Sequence, residues 1–139
     1  MRLYIGGKAQ GKTEYVRKLY QEALICDENN FQSVLGDMIE STGGDKNCCD
    51  LIIWNHFHLC IMKLITEGID DINICNYVNH ITRTIKNIII ISDEIGNGIV
   101  PMDAVMRDYR EIVGRLLIDI AKESESVERI ICQIPMKLK

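Results

Sequence analysis

The chain has 139 residues, of which 47% are hydrophobic and 26% are charged. These proportions are typical of a folded globular protein and exclude collagen-like and intrinsically disordered classes. The length predicts a single domain over residues 1–139. The formal net charge of −4 argues against a protein that binds nucleic acid through a general basic surface, so nucleic acid is not an expected partner.

The amino-terminal stretch and the cysteines bear on the compartment. The apolar stretch within residues 1–6 is too short for a signal peptide, and the six cysteines contain no CxxC pair. We therefore expect reduced thiols, most of them small buried hydrophobic residues, in a cytoplasmic protein. The longest apolar runs, at 51–54 and 88–91, are far shorter than the roughly 18 residues of a membrane-spanning helix. We therefore do not expect a membrane among the partners of the protein.

In the first half of the chain, an apolar run at 3–5 predicts a strand, and helical periodicity begins at Lys12. A second strand is predicted at 24–26. Residues 27–47 are polar and glycine-containing, with one weak helical pattern at 34–39, and are predicted to be the least ordered stretch.

In the second half, a strand at 51–54 is followed by an apolar helix to residue 67 and by a further helix capped by Asp71. A β-branched strand is predicted at 88–91, buried on both faces. A long amphipathic helix then carries an apolar stripe from Met102 to Ile120, and 129–132 and 136–139 are predicted to pair as the last strands. This alternation predicts an α/β fold of three layers with a mostly parallel central sheet.

The segment from residue 6 to residue 13 fits the phosphate-loop pattern G-x-x-x-x-G-K-[ST] at every fixed position. It follows an apolar strand and opens an amphipathic helix, which is the context that this pattern requires. Glycines allow backbone amides to surround an anion, and the helix adds the positive end of its dipole. The sequence therefore predicts a P-loop that binds ATP or GTP with Mg²⁺ through Gly6, Gly7, Lys8, Ala9, Gln10, Gly11, Lys12 and Thr13.

Such a site also needs an acidic group at the end of a neighbouring strand. Asp93 and Glu94 follow the strand at 88–91 and are predicted to act with Lys12 as catalytic residues, with Asp93 joining Thr13 as a metal ligand. The alternative is that both acids simply begin a solvated loop. The strand at 51–54 is followed by Asn55, which has no carboxylate, so this strand is not expected to supply the acid.

Three arginines on the long helix, Arg107, Arg110 and Arg115, lie off its apolar stripe and are suited to bidentate phosphate binding. The alternative is an ordinary exposed helix face. Asp103 with Arg107 and Glu111 with Arg115 are both i, i+4 pairs with the acid first.

Three residues of types that can bind a metal ion lie close together in the sequence, at His56, His58 and Cys60. In a helix over 57–65, however, His56 and Cys60 would share a face while His58 would point away. Side chains without a special role are therefore the favoured interpretation.

Two further stretches are more distinctive than the phosphate loop. Residues 94–101 read Glu-Ile-Gly-Asn-Gly-Ile-Val-Pro and residues 109–115 read Tyr-Arg-Glu-Ile-Val-Gly-Arg, and the chain closes on Lys-Leu-Lys. With the phosphate loop, they resemble the bifunctional adenosylcobinamide kinase / adenosylcobinamide-phosphate guanylyltransferase family of cobalamin biosynthesis. The likeness covers the beginning and the last part of the chain, and the middle matches only in its order of strands and helices.

This resemblance implies a P-loop enzyme that phosphorylates the aminopropanol hydroxyl of adenosylcobinamide, a corrinoid, with ATP or GTP. The enzyme would then transfer GMP from GTP to that phosphate. The resemblance also implies that Gly6 to Thr13 contact the nucleotide phosphates, that the loop at 94–101 lies beside them, and that the protein is a homo-oligomer like the family's trimers.

The chain departs from the family at the guanylyltransferase site. In the family, a histidine between the second and third strands becomes covalently guanylylated. Residues 27–50 contain neither His nor Arg and form a shorter segment than in the family, which predicts that guanylyl transfer is absent or badly impaired. The family's acidic residue at the end of the third strand is also replaced, near Trp54 and Asn55.

Two other functions stay open. One is a degenerate family member that binds the nucleotide without turnover as a regulatory or partner subunit. The other is a different P-loop phosphotransferase whose small substrate lies over residues 27–47. The choice between ATP and GTP is not encoded in the phosphate loop.

Overall fold

The computed structural model describes residues 1–42, 51–96 and 102–139. Strands and helices alternate along most of this chain, as the apolar runs and the helical periodicity predicted. The elements in chain order are β1 (Arg2–Gly6), α1 (Lys12–Leu19), β2 (Leu24–Cys26), α2 (Phe31–Thr42), β3 (Ile52–Trp54), α3 (Phe57–Thr66), α4 (Asp71–Thr84), β4 (Ile88–Asp93), α5 (Ala104–Glu123), β5 (Ser126–Ile131) and β6 (Ile134–Lys137).

The strands of the described chain form one six-stranded sheet in the order β2-β3-β4-β1-β5-β6. β1 to β5 run parallel, and β6 pairs antiparallel with β5. β1 lies between β4 and β5, with Gly6 in register with Asp93. Because parallel strands end at the same edge of a sheet, the segments that follow β1, β3 and β4 meet there.

Side chains alternate between the two faces of the sheet, and each face has its own core. Ile53, Ile89 and Ile91 face α1, where Val16 is fully buried. Their neighbours Ile52 and Ile90 face the opposite side, which is covered by α2, α3, α4 and α5. The predicted three-layer α/β fold with a mostly parallel sheet is confirmed, and none of the helices described is long and apolar enough to span a bilayer.

The segment predicted to be least ordered contains α2, which includes the weak helical pattern predicted at 34–39 and extends beyond it at both ends. Phe31 and Leu35 are fully buried, and the Phe31 ring stacks on Trp54 at a centroid distance of 6.0 Å. The apolar residues of α2 are too few for a strong periodic signal, and packing against β3 decides the conformation. Residues 43–47 of the segment lie outside the described residues.

Two helix starts differ from prediction. Asp70 rather than Asp71 caps α4, with its carboxylate accepting from the Asn73 amide at 2.9 Å. The apolar stripe of α5 is buried only from Tyr109 onward, and Met102 before the helix is 98% exposed.

Candidate functional site

The phosphate-loop sequence joins β1 to α1 at the edge where the parallel strands end. Gly11 immediately precedes α1 with a left-handed φ of 77°, where a side chain would be strained and would overlap Gln133. A methyl group on Gly6 would overlap the carbonyl oxygen of Ile130 on β5. Both fixed glycines are thus required by close approach of the β5–β6 region.

A cavity of about 980 Å³ opens over this loop, within the size range of small-molecule sites. The loop, the start of α3, the end of β4 and β5 all contribute to its lining. The functional groups in that lining are Gly7, Lys8, Ala9, Gln10, Gly11, Lys12 and Thr13 with His56, His58, Asp93, Glu94 and Arg129.

The structure brings Lys12 and Asp93 together, as predicted for an acid on the strand next to the loop. Lys12 Nζ lies 2.5 Å from Asp93 Oδ1 and donates to the Gly7 carbonyl at 2.7 Å. The Lys12 side chain is only 7% exposed, so its ammonium is a nearly buried charge that depends on this pairing. A cation is therefore held directly beneath the cavity.

Asn55, which follows β3, is a site residue that sequence reasoning missed. It is buried, and its Oδ1 accepts a hydrogen bond from the Thr13 hydroxyl at 2.8 Å. The sequence suggested no role for it because it is not an acid. Its position after a strand that ends at the same edge as β1 was the available signal.

Glu94 lines the same cavity but pairs with Arg129 of β5. Arg129 Nη2 lies 2.7 Å from Glu94 Oε2, and the Glu94 amide donates to the Gly6 carbonyl at 2.9 Å. The two predicted acids thus have different partners: Asp93 pairs with Lys12 of the loop, and Glu94 pairs with Arg129, for which no sequence pattern predicted a role.

His58 also belongs to the site, contrary to the interpretation that it has no special role. Its Nδ1 accepts from the Asp93 amide at 3.1 Å, which leaves Nε2 to carry the proton, 3.6 Å from Asp93 Oδ2. Burial lowers the pKa of His58, and this effect outweighs the opposing influence of Asp93. A neutral imidazole therefore accepts from the Asp93 backbone amide and lies close to the Asp93 carboxylate.

The His56–Cys60 cluster does not form a metal site among the described residues. His56 lines the cavity with its Nδ1 3.0 Å from Glu28 Oε2. Cys60 is buried near Trp54, and burial raises its pKa to about 12, so it is a poor source of thiolate. Cys26 is buried as expected, whereas Cys132 is exposed.

The three arginines of α5 have other partners. Arg107 donates to the Met102 carbonyl and Arg110 to the Gly96 carbonyl, each at 2.6 Å. Arg115 contacts Asp71 and, as the i, i+4 alternative predicted, Glu111. The arginine in the described lining of the cavity is Arg129, and residues 97–101 of the distinctive glycine-rich stretch lie outside the described residues.

The chemistry of the polar groups near the loop fits a magnesium–nucleotide complex. Thr13 offers a hydroxyl oxygen and Asp93 a carboxylate, and Mg²⁺ prefers such oxygen ligands. A magnesium ion bound through nucleotide phosphates needs only one or two protein ligands, so a dense cluster of acids is not required at this edge.

Comparison with known families gives a match over most of the chain. The family model described as cobinamide kinase / cobinamide phosphate guanyltransferase matches residues 47–138. The matched region begins after the phosphate loop and includes the ends of β3 and β4, so it covers the middle of the chain as well as its last part. No curated protein matches the chain.

Proposed function

Because the chain belongs to the cobinamide kinase / cobinamide phosphate guanyltransferase family, we propose that it is a P-loop kinase for adenosylcobinamide. It transfers the γ-phosphoryl group of ATP or GTP to the corrinoid's aminopropanol hydroxyl. The observation that carries the proposal is the ion pair between the buried Lys12 and the half-buried Asp93, beneath a cavity lined by the whole loop from Gly7 to Thr13.

Each polar group supports one part of this reaction. Lys12 neutralises charge on the transferring phosphate, and the loop amides with the α1 terminus hold the phosphates in line. Thr13 and Asp93 are the residues that would hold Mg²⁺, which neutralises phosphate charge when it binds with the nucleotide. Asn55 accepts a hydrogen bond from the Thr13 hydroxyl, which fixes the direction of that hydroxyl and leaves its lone pairs available.

We further propose that the family's guanylyl transfer is lost. Residues 27–50 contain no histidine that could be guanylylated. His58 is buried and its Nδ1 accepts from the Asp93 amide, so this nitrogen is a poor nucleophile. The remaining imidazole of the cavity, His56, is hydrogen-bonded to Glu28.

The kinase proposal is tested with γ-labelled ATP and GTP, adenosylcobinamide and the Lys12→Ala variant. Transfer of label to the corrinoid by the wild type and its loss in the variant are expected. Tight nucleotide binding without transfer would favour a degenerate regulatory or partner subunit. Hydrolysis that does not respond to corrinoid would favour a different phosphotransferase.

The guanylyltransferase proposal is tested with α-labelled GTP, and no acid-labile covalent adduct is expected. An adduct would overturn this part of the proposal, and His56→Gln would then show whether His56 carries the label. A homo-oligomer, with a trimer as the expected form, stays a prediction that light scattering can check.

A further inference from the structure

The turn between β5 and β6 has an unusual backbone. Its two residues, Cys132 and Gln133, have φ values of 50° and 64°. Two-residue hairpin turns with two left-handed residues favour Asn-Gly, because a Cβ is disfavoured there. Strained positions of this kind persist where surrounding contacts enforce them.

The turn lies directly against the phosphate loop. The Cys132 amide donates to Gln10 Oε1 at 2.8 Å, and the Gln133 amide donates to the Gln10 carbonyl at 2.9 Å. The Gln133 side chain then donates from Nε2 to Glu14 Oε2, also at 2.8 Å. Loop and helix α1 are thus joined through the turn by three hydrogen bonds.

The aliphatic part of Gln133 also covers Gly11, where a methyl group would overlap it. The loop is itself left-handed at Ala9, with φ 58°, and at Gly11, with φ 77°. At its other end, Gly6 lies against the Ile130 carbonyl. The loop is therefore enclosed between β5 at its start and the β5–β6 turn at its end.

We propose that Gln133 is a positioning residue for nucleotide binding. Through its contacts with Gly11 and Glu14, it holds residues 10–14 in the conformation that receives the phosphates. A loop that is already ordered loses less conformational freedom when it binds an anion, which strengthens binding. This inference rests on the proposed nucleotide binding and adds a residue that the phosphate-loop pattern does not contain.

Gln133→Gly separates a positioning role from a structural one. Glycine relieves the strain at φ 64°, so the melting temperature is expected to stay equal or to rise. The Glu14 contact and the cover over Gly11 are lost, so the dissociation constant for ATP or GTP is expected to increase about fivefold. Calorimetric titration and thermal unfolding measure the two quantities on the full chain.

Two further variants complete the comparison. Gln133→Asn keeps an amide and tolerates a left-handed conformation, so it is expected to restore part of the affinity lost in Gln133→Gly. Gln21→Ala changes an exposed glutamine in the turn after α1 and is expected to leave the dissociation constant unchanged.

An unchanged affinity in Gln133→Gly would overturn the proposal. So would a loss of affinity accompanied by a lower melting temperature, because that pattern belongs to a purely structural residue. Hydrogen exchange of the amides of residues 7–12 without nucleotide is expected to be faster in Gln133→Gly, and equal exchange would contradict the proposal. If the wild type binds no nucleotide, the proposed function fails, while the exchange measurement still decides the role of Gln133.

Discussion

The ends of the neighbouring strands β3 and β4 carry side chains of nearly the same shape but different charge. Asp93 at the end of β4 pairs with the Lys12 ammonium at 2.5 Å. Asn55 after β3 accepts from the neutral Thr13 hydroxyl at 2.8 Å. A carboxylate thus pairs with the nearly buried Lys12 cation, and an amide accepts from the partly buried Thr13 hydroxyl, so each group has a suitable partner. At this edge of the sheet, Asp93 therefore balances the charge of Lys12, whereas Asn55 orients the Thr13 hydroxyl.

The largest effect is expected from Asp93→Asn, which removes the charge at the end of β4 and keeps the shape. Lys12 would lose its anionic partner while remaining nearly buried. We expect kcat for phosphoryl transfer to fall by about 100-fold or more, together with a lower melting temperature. Steady-state kinetics measure the change in kcat. The control variant Glu94→Gln removes the charge that pairs with Arg129 instead, and it should reduce kcat less. A wild-type rate in Asp93→Asn would show that this acid is not needed.

The double variant Asn55→Asp with Asp93→Asn exchanges the two groups. The new carboxylate would lie against Thr13 instead of Lys12, so activity is expected to stay about 100-fold below wild type. Kinetics of the double variant beside each single variant measure the coupling between the sites. Recovery of activity would mean that the two strand ends are equivalent and that only the total charge matters.

A smaller effect is expected from Asn55→Ala, which leaves the charge at Asp93 intact. Loss of the Thr13 hydrogen bond removes about 1 kcal/mol, or roughly fivefold in affinity. Because Thr13 is proposed as a metal ligand, the loss should be measured for the magnesium–nucleotide complex. The control is a titration with nucleotide in the presence of a metal chelator, where the affinities of the wild type and the variant should differ less. An equal loss of affinity with and without the chelator would show that Asn55 does not act through the metal.

The smallest effect is expected on the free energy of unfolding, through its dependence on pH at His58. Burial lowers the pKa of His58 below its ordinary value of 6.5, so below about pH 6.5 the unfolded chain binds a proton that the folded chain excludes. The free energy of unfolding should therefore decrease as the pH falls below about 6.5, and this decrease should be shallower in His58→Asn. Urea unfolding at several pH values measures it, and His56→Asn, at a half-buried histidine in the same cavity, is the control. The same slope in His58→Asn and wild type would contradict this.

Local patterns predicted much of this site. The phosphate loop is a contiguous pattern, and the strand before Asp93 is a run of four isoleucines, Ile88 to Ile91, all buried as expected. The position of Asp93 beside the loop follows from β4 pairing with β1. Such features depend on residues close in sequence and on a common sheet topology, and the sequence contains both.

Other parts depended on geometry that no local pattern contains. The side of the helix on which His58 lies was predicted wrongly, because the helical spacing was counted from His56. His56 has a φ of 49° and precedes α3, which begins at Phe57. The role of Asn55 depends on a contact with a residue 42 positions away. Arg129 and Gln133 enter the site only because β5 pairs with β1.

The contact between Gln10 and Cys132 spans 122 positions of the chain, which links the loop to folding as a whole. Contacts of such sequence separation form only when the global topology is in place. If a nucleotide binds this loop as proposed, it requires the folded chain, and its binding energy is expected to stabilise the entire sheet. Protection against heat by ATP or GTP would thus report on the complete fold as well as on the site.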